Sequence, residues 1–255
     1  HHSLAQSAIG NDKIPESLSL IDKTVSQLKK PEAKAMLWLV KATILDAVYD
    51  NDKYTYNQRN LPLLPLPEDY TEWSGEQFRY VISQLCDSVM EQSNLLKTVS
   101  IKEYYTSITH DNQTAVYFPT LFDFAAYRTI YLRSGLTQFG NMLSLAFLSP
   151  SRIFIAEPLF VPMSQEATKI LDTYAELLKF HESQPAPYIY ADLERLDFVD
   201  DNLFNRDYET SRQKYREALQ NLYDTHSSSE YSGDVLLGIS RANLQNPDSF
   251  ETWLY

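Results

Sequence analysis

Residues 118–135 of this chain read FPTLFDFAAYRTIYLRSG. The apolar side chains of this stretch spread around the whole circumference of a helix, which predicts that other helices cover it on nearly every side. Thr120 and Asp123 match the start signal Ser/Thr-x-x-Asp/Glu, because a hydroxyl and a carboxylate satisfy the free amide groups of a first helical turn. Gly135 is the predicted left-handed stop. We therefore interpret the stretch as the buried middle of an all-helical stack.

The composition narrows the class of protein. With 255 residues and a hydrophobic content of 44%, the chain is long enough to bury a sizeable core in one or two domains. Six glycines are too few for the many turns of a β-sandwich or barrel, and no sustained alternation of apolar and polar residues occurs. The expected fold class is therefore all-α.

The charge balance restricts the partners. The chain has 22 basic and 34 acidic residues, and its formal net charge of -12 repels phosphate backbones and anionic lipid surfaces. Nucleic acid is therefore not an expected partner. No apolar run reaches the roughly 18 residues of a membrane span, so no transmembrane segment is predicted. No secretory signal opens the chain, so an exported protein would have had its signal removed.

The helices are predicted to arrive in pairs. Apolar residues recur at helical spacing over 18–28, and Pro31 stands where a second helix begins. Another pair follows Ser164 and Pro187, and the last pair spans 208–242 with a spacing near the roughly 34 residues of a tetratricopeptide unit. Because the consensus of that repeat is mostly absent, we predict stacked antiparallel helical hairpins, that is, a degenerate tetratricopeptide-like α-α superhelix.

Two segments interrupt the helical pattern. Residues 59–74 contain three prolines and form a predicted long connection that leads to a helix starting at Ser74. Within it, Pro62 and Pro65 match PxxP, a pattern of polyproline II ligands, although the leucines between them favour packing of the loop on its own domain. Residues 136–163 are predicted to be an irregular insertion, either a loop or a small strand pair.

The predicted domain organisation has three parts. Residues 1–13 form a disordered start, in which His1 and His2 are typical of the remainder of a purification tag. Residues 14–245 form the helical repeat domain. Residues 246–255 are the predicted beginning of a further element.

The sequence shows few of the residue patterns that are typical of catalytic or metal-binding sites. The histidines after the first two residues are His110, His181 and His226, and none has a second histidine at i+3 or i+4 to form a helical metal pair. The sequence contains neither a glycine-rich phosphate-binding loop nor the nucleophile elbow of serine hydrolases. The backbone motifs that support nucleotide binding and serine hydrolysis are therefore missing. The single cysteine, Cys86, excludes an internal disulfide and is predicted to be a buried, inert thiol, which leaves the redox compartment open. We therefore expect no enzyme, no metal and no cofactor.

A cluster of acidic residues suggests an alternative in which the chain is an enzyme. Glu194, Asp197 and Asp201 lie at i, i+3 and i+7, with Asp200 beside them, on the side away from the apolar residues of the same predicted helix. This pattern favours a solvated helix face. The alternative is a carboxylate-based hydrolase that uses Asp197 and Asp201, since a glycosidase needs two carboxylates roughly 5–10 Å apart.

Aromatic residues offer another alternative. Most of the 18 tyrosines fall at core spacing, although tyrosines also line sugar-binding and peptide-binding grooves. The candidate binding residues on the surface are Trp73 and Trp253. They belong to the second functional hypothesis, an exported helical-repeat module that binds glycan or peptide.

Four separated segments of this chain together resemble one known family. They are AKAMLWLVKATILDAVYDNDKYTYNQRN (34–60), PTLFDFAAYRTIYL (119–132), ADLERLDFVDDN (191–202) and YREALQNLYDTHSSSEYSGDVLLGISRA (215–242). These segments resemble the amino-terminal helical region of large bacterial alpha-2-macroglobulin-like proteins of the Bacteroidetes type. The most specific block is PTLFDF, and the likeness covers roughly residues 14–245.

The resemblance implies a role without catalysis. Members of that family are exported, often lipid-anchored proteins, in which a tetratricopeptide-like leader precedes β-sandwich macroglobulin domains that trap proteases, in many cases with a thioester. This chain would then be an extracytoplasmic interaction or spacer module. Its partners would be the downstream macroglobulin domains of the same chain, with other envelope proteins as further candidates. Cys86 is followed by Asp87 and Ser88, which departs from the thioester motif Cys-x-Glu-Gln, so no covalent role carries over.

Overall fold

The computed structural model describes residues 13–137, 143–156, 163–203 and 208–244. Over these ranges the chain forms α-helices and 3-10 turns, with two isolated β-bridges and no β-strand, which confirms the all-α class. Most of the predicted start, residues 1–12, and the predicted further element at 246–255 lie outside the described residues. Among the described helices, none combines the length and the apolar character that a bilayer crossing requires.

The chain divides into two compact units, His1–Leu136 and Thr137–Tyr255, called unit 1 and unit 2 below. The helical repeat domain predicted over 14–245 extends into both units. The helical periodicity stops after Leu136, so the helices before this point pack among themselves and those after it do the same.

Unit 1 is built from hairpins and short connecting helices. Pro31 occupies the first turn of the second helix, where its missing amide donor costs nothing, as the sequence predicted. The helices within its described residues are α1 (Ile14–Gln27), α2 (Pro31–Asn51), α3 (Lys53–Asn57), α4 (Gly75–Met90), α5 (Ser93–Leu96), α6 (Thr114–Tyr117) and α7 (Leu121–Leu136).

Helix α7 is the buried centre of unit 1, as its composition predicted. It packs against α2, α4 and α5, and Leu121, Phe122 and Leu132 have no exposed surface. The main exception is Tyr131, whose surface is 50% exposed. Apolar residues on several sides of one helix therefore do find cover from several neighbours.

The two ends of α7 differ in how well the sequence predicted them. At the start, the backbone N–H and the hydroxyl of Thr120 both donate to the Asp123 carboxylate, at 2.8 and 2.7 Å. The predicted stop is wrong, because Gly135 lies inside α7 without a left-handed backbone and the helix continues to Leu136. A Cβ at Gly135 would lie 3.6 Å from a carboxylate oxygen of Asp46, so α7 passes close to α2 at this point.

The connection over 59–74 is held by polar contacts rather than by its leucines. The indole N–H of Trp73 donates to the Pro67 carbonyl at 2.8 Å, and the side-chain amide of Gln77 donates to the Pro62 carbonyl at 2.9 Å. Leu64 is 56% exposed and Leu63 is exposed as well. The expectation that these leucines pack on their own domain is therefore wrong, because carbonyl acceptors at both ends already fix the loop.

Helix α4 starts at Ser74, as predicted, with a complete capping box. The Ser74 hydroxyl accepts from the Gln77 backbone N–H at 3.2 Å, and the Gln77 side-chain oxygen accepts from the Ser74 N–H at 2.9 Å. Both residues are buried, so water cannot replace these bonds.

Replacing Ser74 with alanine is therefore expected to lower the free energy of unfolding by about 1 kcal/mol, because it leaves an amide of the first turn without its partner. Urea denaturation of the whole chain measures this loss. Ser88→Ala is the matched control, because the Ser88 hydroxyl makes only a solvent-exposed hydrogen bond to the Gln84 carbonyl of the same helix. It is expected to change stability by less than about 0.5 kcal/mol. Equal losses for the two variants would contradict the importance of the cap.

Unit 2 is a stack of consecutive helices. Each of the four long helices that end the described chain contacts the next one, and the second also contacts the fourth, as expected for stacked antiparallel hairpins. The helices within the described residues of unit 2 are α8 (Ser151–Ala156), α9 (Gln165–Phe180), α10 (Pro185–Asp201), α11 (Tyr208–His226) and α12 (Ser232–Leu244).

The irregular insertion contains helical turns. Within the described part of 136–163, the chain forms a 3-10 turn at Leu145–Leu148 and the short helix α8. The strand-pair alternative is wrong for these described residues, since Leu143 makes only an isolated bridge to Leu203. The guanidinium of Arg195 holds this region to α10 by donating to the Phe147 and Ser149 carbonyls, which explains why the segment folds without a long apolar pattern of its own.

Candidate functional site

The structure moves the first predicted binding residue into the core. Trp73 is only 8% exposed, and its ring meets Phe78 edge-on with centroids 5.2 Å apart. Because its N–H is already bonded to a backbone carbonyl, neither its ring nor its donor is available to a ligand. The expected surface position of Trp73 is therefore wrong, and Trp253 lies outside the described residues.

The histidines occupy separate environments. His110 stacks on Tyr105 with centroids 3.8 Å apart, His181 is fully buried with Gln184 as a side-chain partner, and His226 lies beside Tyr188. The described residues contain no group of three or more His, Cys, Asp or Glu side chains arranged to hold a metal ion. Cys86 is buried in α4, as predicted.

The acidic face of α10 is largely covered, contrary to the predicted solvated face. Glu194, Asp197 and Asp200 are half-buried, because α11 and α12 pack against α10, whereas Asp201 is exposed. Asp197 accepts a hydrogen bond from the Tyr215 hydroxyl. Sequence reasoning missed this cover because a helix face shows no sign of which later helix will pack on it.

Burial changes the acidity of this face. It raises the pKa of Glu194, with a further increase from the negative charge of Asp197. It also raises the pKa of Asp197, against the opposing effect of the Tyr215 hydrogen bond. Asp201 stays in solvent, and none of the three clefts described below is lined by Asp197 or Asp201. The structure therefore does not bring the predicted hydrolase pair together in any of these clefts.

A cleft of about 750 Å³ opens within unit 2. Its walls come from α8, from the turn between α9 and α10 with the first turn of α10, and from the last turns of α11. This volume falls in the range of roughly 300–1,000 Å³ that small-molecule sites occupy. No sequence signal pointed to it, because its lining residues come from three segments, within 150–156, 179–188 and 221–226, that meet only in the folded unit.

An aromatic pair forms one wall of this cleft. Tyr188 and His226 have ring centroids 5.4 Å apart and planes tilted by 48°. The Tyr188 hydroxyl donates to the Ser151 hydroxyl at 2.7 Å, which ties α10 to α8. Burial lowers the pKa of His226 below its usual value, against a smaller opposing effect of Asp192, and so favours the uncharged imidazole.

The rim of the cleft carries charge. Arg152 and Lys179 are both exposed, and neither forms an ion pair with another described residue. Glu182, also exposed, is the one acidic side chain among the lining residues. The rim therefore combines two cations with one anion in a chain whose formal net charge is -12.

Two other clefts in unit 2 are less distinctive. One of about 620 Å³ runs along α11 and α12 and is lined almost entirely by polar side chains, with Ile239 as the apolar exception. One of about 320 Å³ lies between the 3-10 turn at Leu145–Leu148 and α11. Neither contains an aromatic wall.

Comparisons of this chain with protein-family models, with curated proteins and with solved structures found no match.

Proposed function

We propose that this chain is a non-catalytic helical interaction module at the front of an exported alpha-2-macroglobulin-like protease-trap protein. The observation that carries the proposal is the sequential packing of α9, α10, α11 and α12 as antiparallel hairpins. The segments that resemble the family include residues 191–202 and 215–242, which supply much of this stack.

The architecture suits a docking or spacer role for a physical reason. Each hairpin in such a stack buries one face against its neighbours and leaves another exposed, so successive hairpins build an extended surface. The buried residues of unit 2 are consistent with this use. Leu177, Val199, Leu219 and Val235 come from the four stacked helices and have no exposed surface.

The partners follow from the same resemblance. The first partner is the downstream series of macroglobulin domains of the same full-length chain, and other envelope proteins are further candidates. An extracytoplasmic location, periplasmic or on the cell surface, belongs to this proposal.

Two preparations test the proposal. The first is the purified chain from residue 14 to residue 245, mixed with a panel of proteases at equal molar concentration. We expect protease activity to stay unchanged, because the chain would carry neither the bait segment nor the thioester. Stoichiometric inhibition by this piece alone would refute the non-catalytic module.

The second preparation is the full-length protein with residues 14–245 deleted. We expect its capture of protease to fall several-fold while the circular dichroism of the remaining domains stays that of folded β-structure. Unchanged capture by a folded deletion protein would show that the module has no part in trapping.

A further inference from the structure

The cleft between α8, the α9–α10 turn and the end of α11 contains three kinds of chemistry within one volume of about 750 Å³. It has ring faces, two cations that form no ion pair with another described residue, and uncharged hydroxyl and amide groups. A purely apolar ligand would leave the cations and amides unused, and an inorganic anion would leave the rings and most of the volume unused.

We infer that this cleft binds a sugar acid, that is, a hydroxyl-rich ring that carries a carboxylate. This binding activity does not depend on attachment to a protease trap. It also differs in place from the tryptophan-based site that the sequence suggested, since Trp73 is buried in unit 1.

The cations account for the carboxylate. Arg152 extends from α8 and Lys179 from the end of α9, and neither is neutralised by a described residue. An arginine fork binds a carboxylate through two parallel hydrogen bonds, and a lysine adds a point charge. A net charge of -12 repels anions from the molecule as a whole, so a rim with a local excess of cations provides a local site for one.

The aromatic pair accounts for the ring of the sugar. The C–H face of a sugar ring packs on an aromatic face, and Tyr188 with the uncharged His226 supplies such faces. Tyr188 is held in position by its hydrogen bond to Ser151, so it does not have to be ordered when the ligand binds. Ile153, which is 41% exposed on α8, adds apolar surface at the edge.

The end of α11 supplies the polar groups that would bind the hydroxyl groups of the sugar. The Asn221 side chain offers an amide donor and a carbonyl acceptor to the cleft. The Thr225 hydroxyl donates to the Asn221 backbone carbonyl at 2.7 Å, so its oxygen lone pairs remain to accept from a ligand hydroxyl. Adjacent sugar hydroxyls need such paired donors and acceptors.

Titration calorimetry of the whole chain tests the inference with three probes of graded chemistry. D-Glucuronate carries both the ring and the carboxylate, D-glucose lacks the carboxylate, and succinate lacks the ring. We expect saturable binding of D-glucuronate, at least tenfold tighter than that of either other probe. If D-glucose bound as tightly as D-glucuronate, the cations would have no role, and if succinate did, the ring would have none. The proposal as a whole would be overturned if D-glucuronate showed no saturable binding up to about 10 mM, the order of concentration at which weak sites are still detected.

Point variants locate the site. Arg152→Gln and Tyr188→Phe are each expected to weaken D-glucuronate binding, Arg152→Gln about tenfold by removing the fork and Tyr188→Phe about threefold by freeing the ring from Ser151. Lys23→Gln, at an exposed lysine of α1 in unit 1, is the matched control and is expected to bind like the parent. Thermal melts check that all variants fold. Unaltered affinity in a folded Arg152→Gln variant, or equal losses in the control, would place the site elsewhere.

The source of the sugar acid is resolved by one further probe. An oligosaccharide that ends in a glucuronate residue is compared with free D-glucuronate. Tighter binding of the oligosaccharide assigns the cleft to a polysaccharide end, and weaker binding assigns it to the free monosaccharide; both results require the predicted contacts with the terminal ring.

Discussion

Replacing Arg195 with methionine is expected to lower the free energy of unfolding by about 3–5 kcal/mol, the cost typical of removing one partner from a buried ion pair. Arg195 is fully buried, and its guanidinium binds the Asp192 carboxylate at 2.7 Å and the backbone carbonyls of Phe147 and Ser149. Its charge also lies 4.5 Å from the centroid of the Phe154 ring. Methionine fills a similar length but satisfies none of these acceptors.

The loss of stability arises chiefly from the polar groups that Arg195→Met leaves without a partner. Asp192 is itself buried, and without Arg195 its negative charge loses its ion-pair partner. The carbonyls of Phe147 and Ser149, at the end of the 3-10 turn and just before α8, also lose their hydrogen bonds to α10. We therefore expect unit 2 to unfold at lower urea concentration and the protection of its amides against hydrogen exchange to fall.

Two further variants separate the buried charge from general damage to packing. Adding Asp192→Asn to Arg195→Met is expected to recover part of the lost stability, because an amide carries no charge to leave unpaired. Lys214→Met breaks the exposed pair with Glu217 on α11 and is expected to cost less than about 1 kcal/mol. A loss below about 1 kcal/mol for Arg195→Met would show that this arginine does not hold the insertion in place.

Replacing Asp46 with asparagine is expected to stabilise unit 1 at pH 8 and to remove a step in its pH dependence. Asp46 is 9% exposed on α2 near the close passage of α7. Burial, together with the negative charge of Asp50, raises the pKa of its carboxyl to about 6 against the opposing effects of Arg128 and Lys53. The folded protein therefore binds the Asp46 proton more tightly than the unfolded chain does.

The sign of the pH effect follows from this difference. The stabilisation due to the protonated carboxyl is fully present below the unfolded pKa of 3.8 and is lost as the pH rises through about 6. Above that value the buried carboxylate lowers stability by about 3 kcal/mol, since each pKa unit corresponds to about 1.4 kcal/mol. Asparagine avoids this cost, so its advantage over the parent is greatest at pH 8 and least near pH 4.

Urea denaturation from pH 4 to pH 8 measures the effect. Glu91→Gln, at an exposed acid just after α4, is the matched control and is expected to keep the pH dependence of the parent. Parallel stability curves for the parent and Asp46→Asn across this range would contradict the raised pKa.

Helix starts were the most predictable part of the fold. Pro31 and Ser74 mark helix starts through properties of the backbone nearby, namely a missing donor and a side-chain acceptor, so the structure confirms both. Gly135 shows the limit of such signals. Its small side chain fits a left-handed stop, but here it lies inside α7 beside Asp46, where the contact between two helices and not the local chain determines the backbone.

The candidate sites were much less predictable. Trp73 was expected on the surface as a candidate binding residue, yet α4 and a carbonyl of its own loop cover it. The acids of α10 were expected in water because they lie opposite an apolar stripe, yet two later helices pack against α10 and leave Glu194, Asp197 and Asp200 half-buried. In both cases the sequence did not show which other element would cover the residue, because helical periodicity carries no information about distant packing partners.

The sequence by itself determined that this chain is helical, where most of the long helices start, and that residues 121–132 lie at the centre of a packed core. These properties depend on interactions within a few turns, so the order of apolar, capping and proline residues is enough to specify them. Only the tertiary structure decided the division into two units, the burial of Trp73, the partial burial of Asp197, and the cleft that joins Arg152 to His226. Those features depend on which distant helices meet, because burial, shifted acidity and concave shape are created by the packing of one element on another.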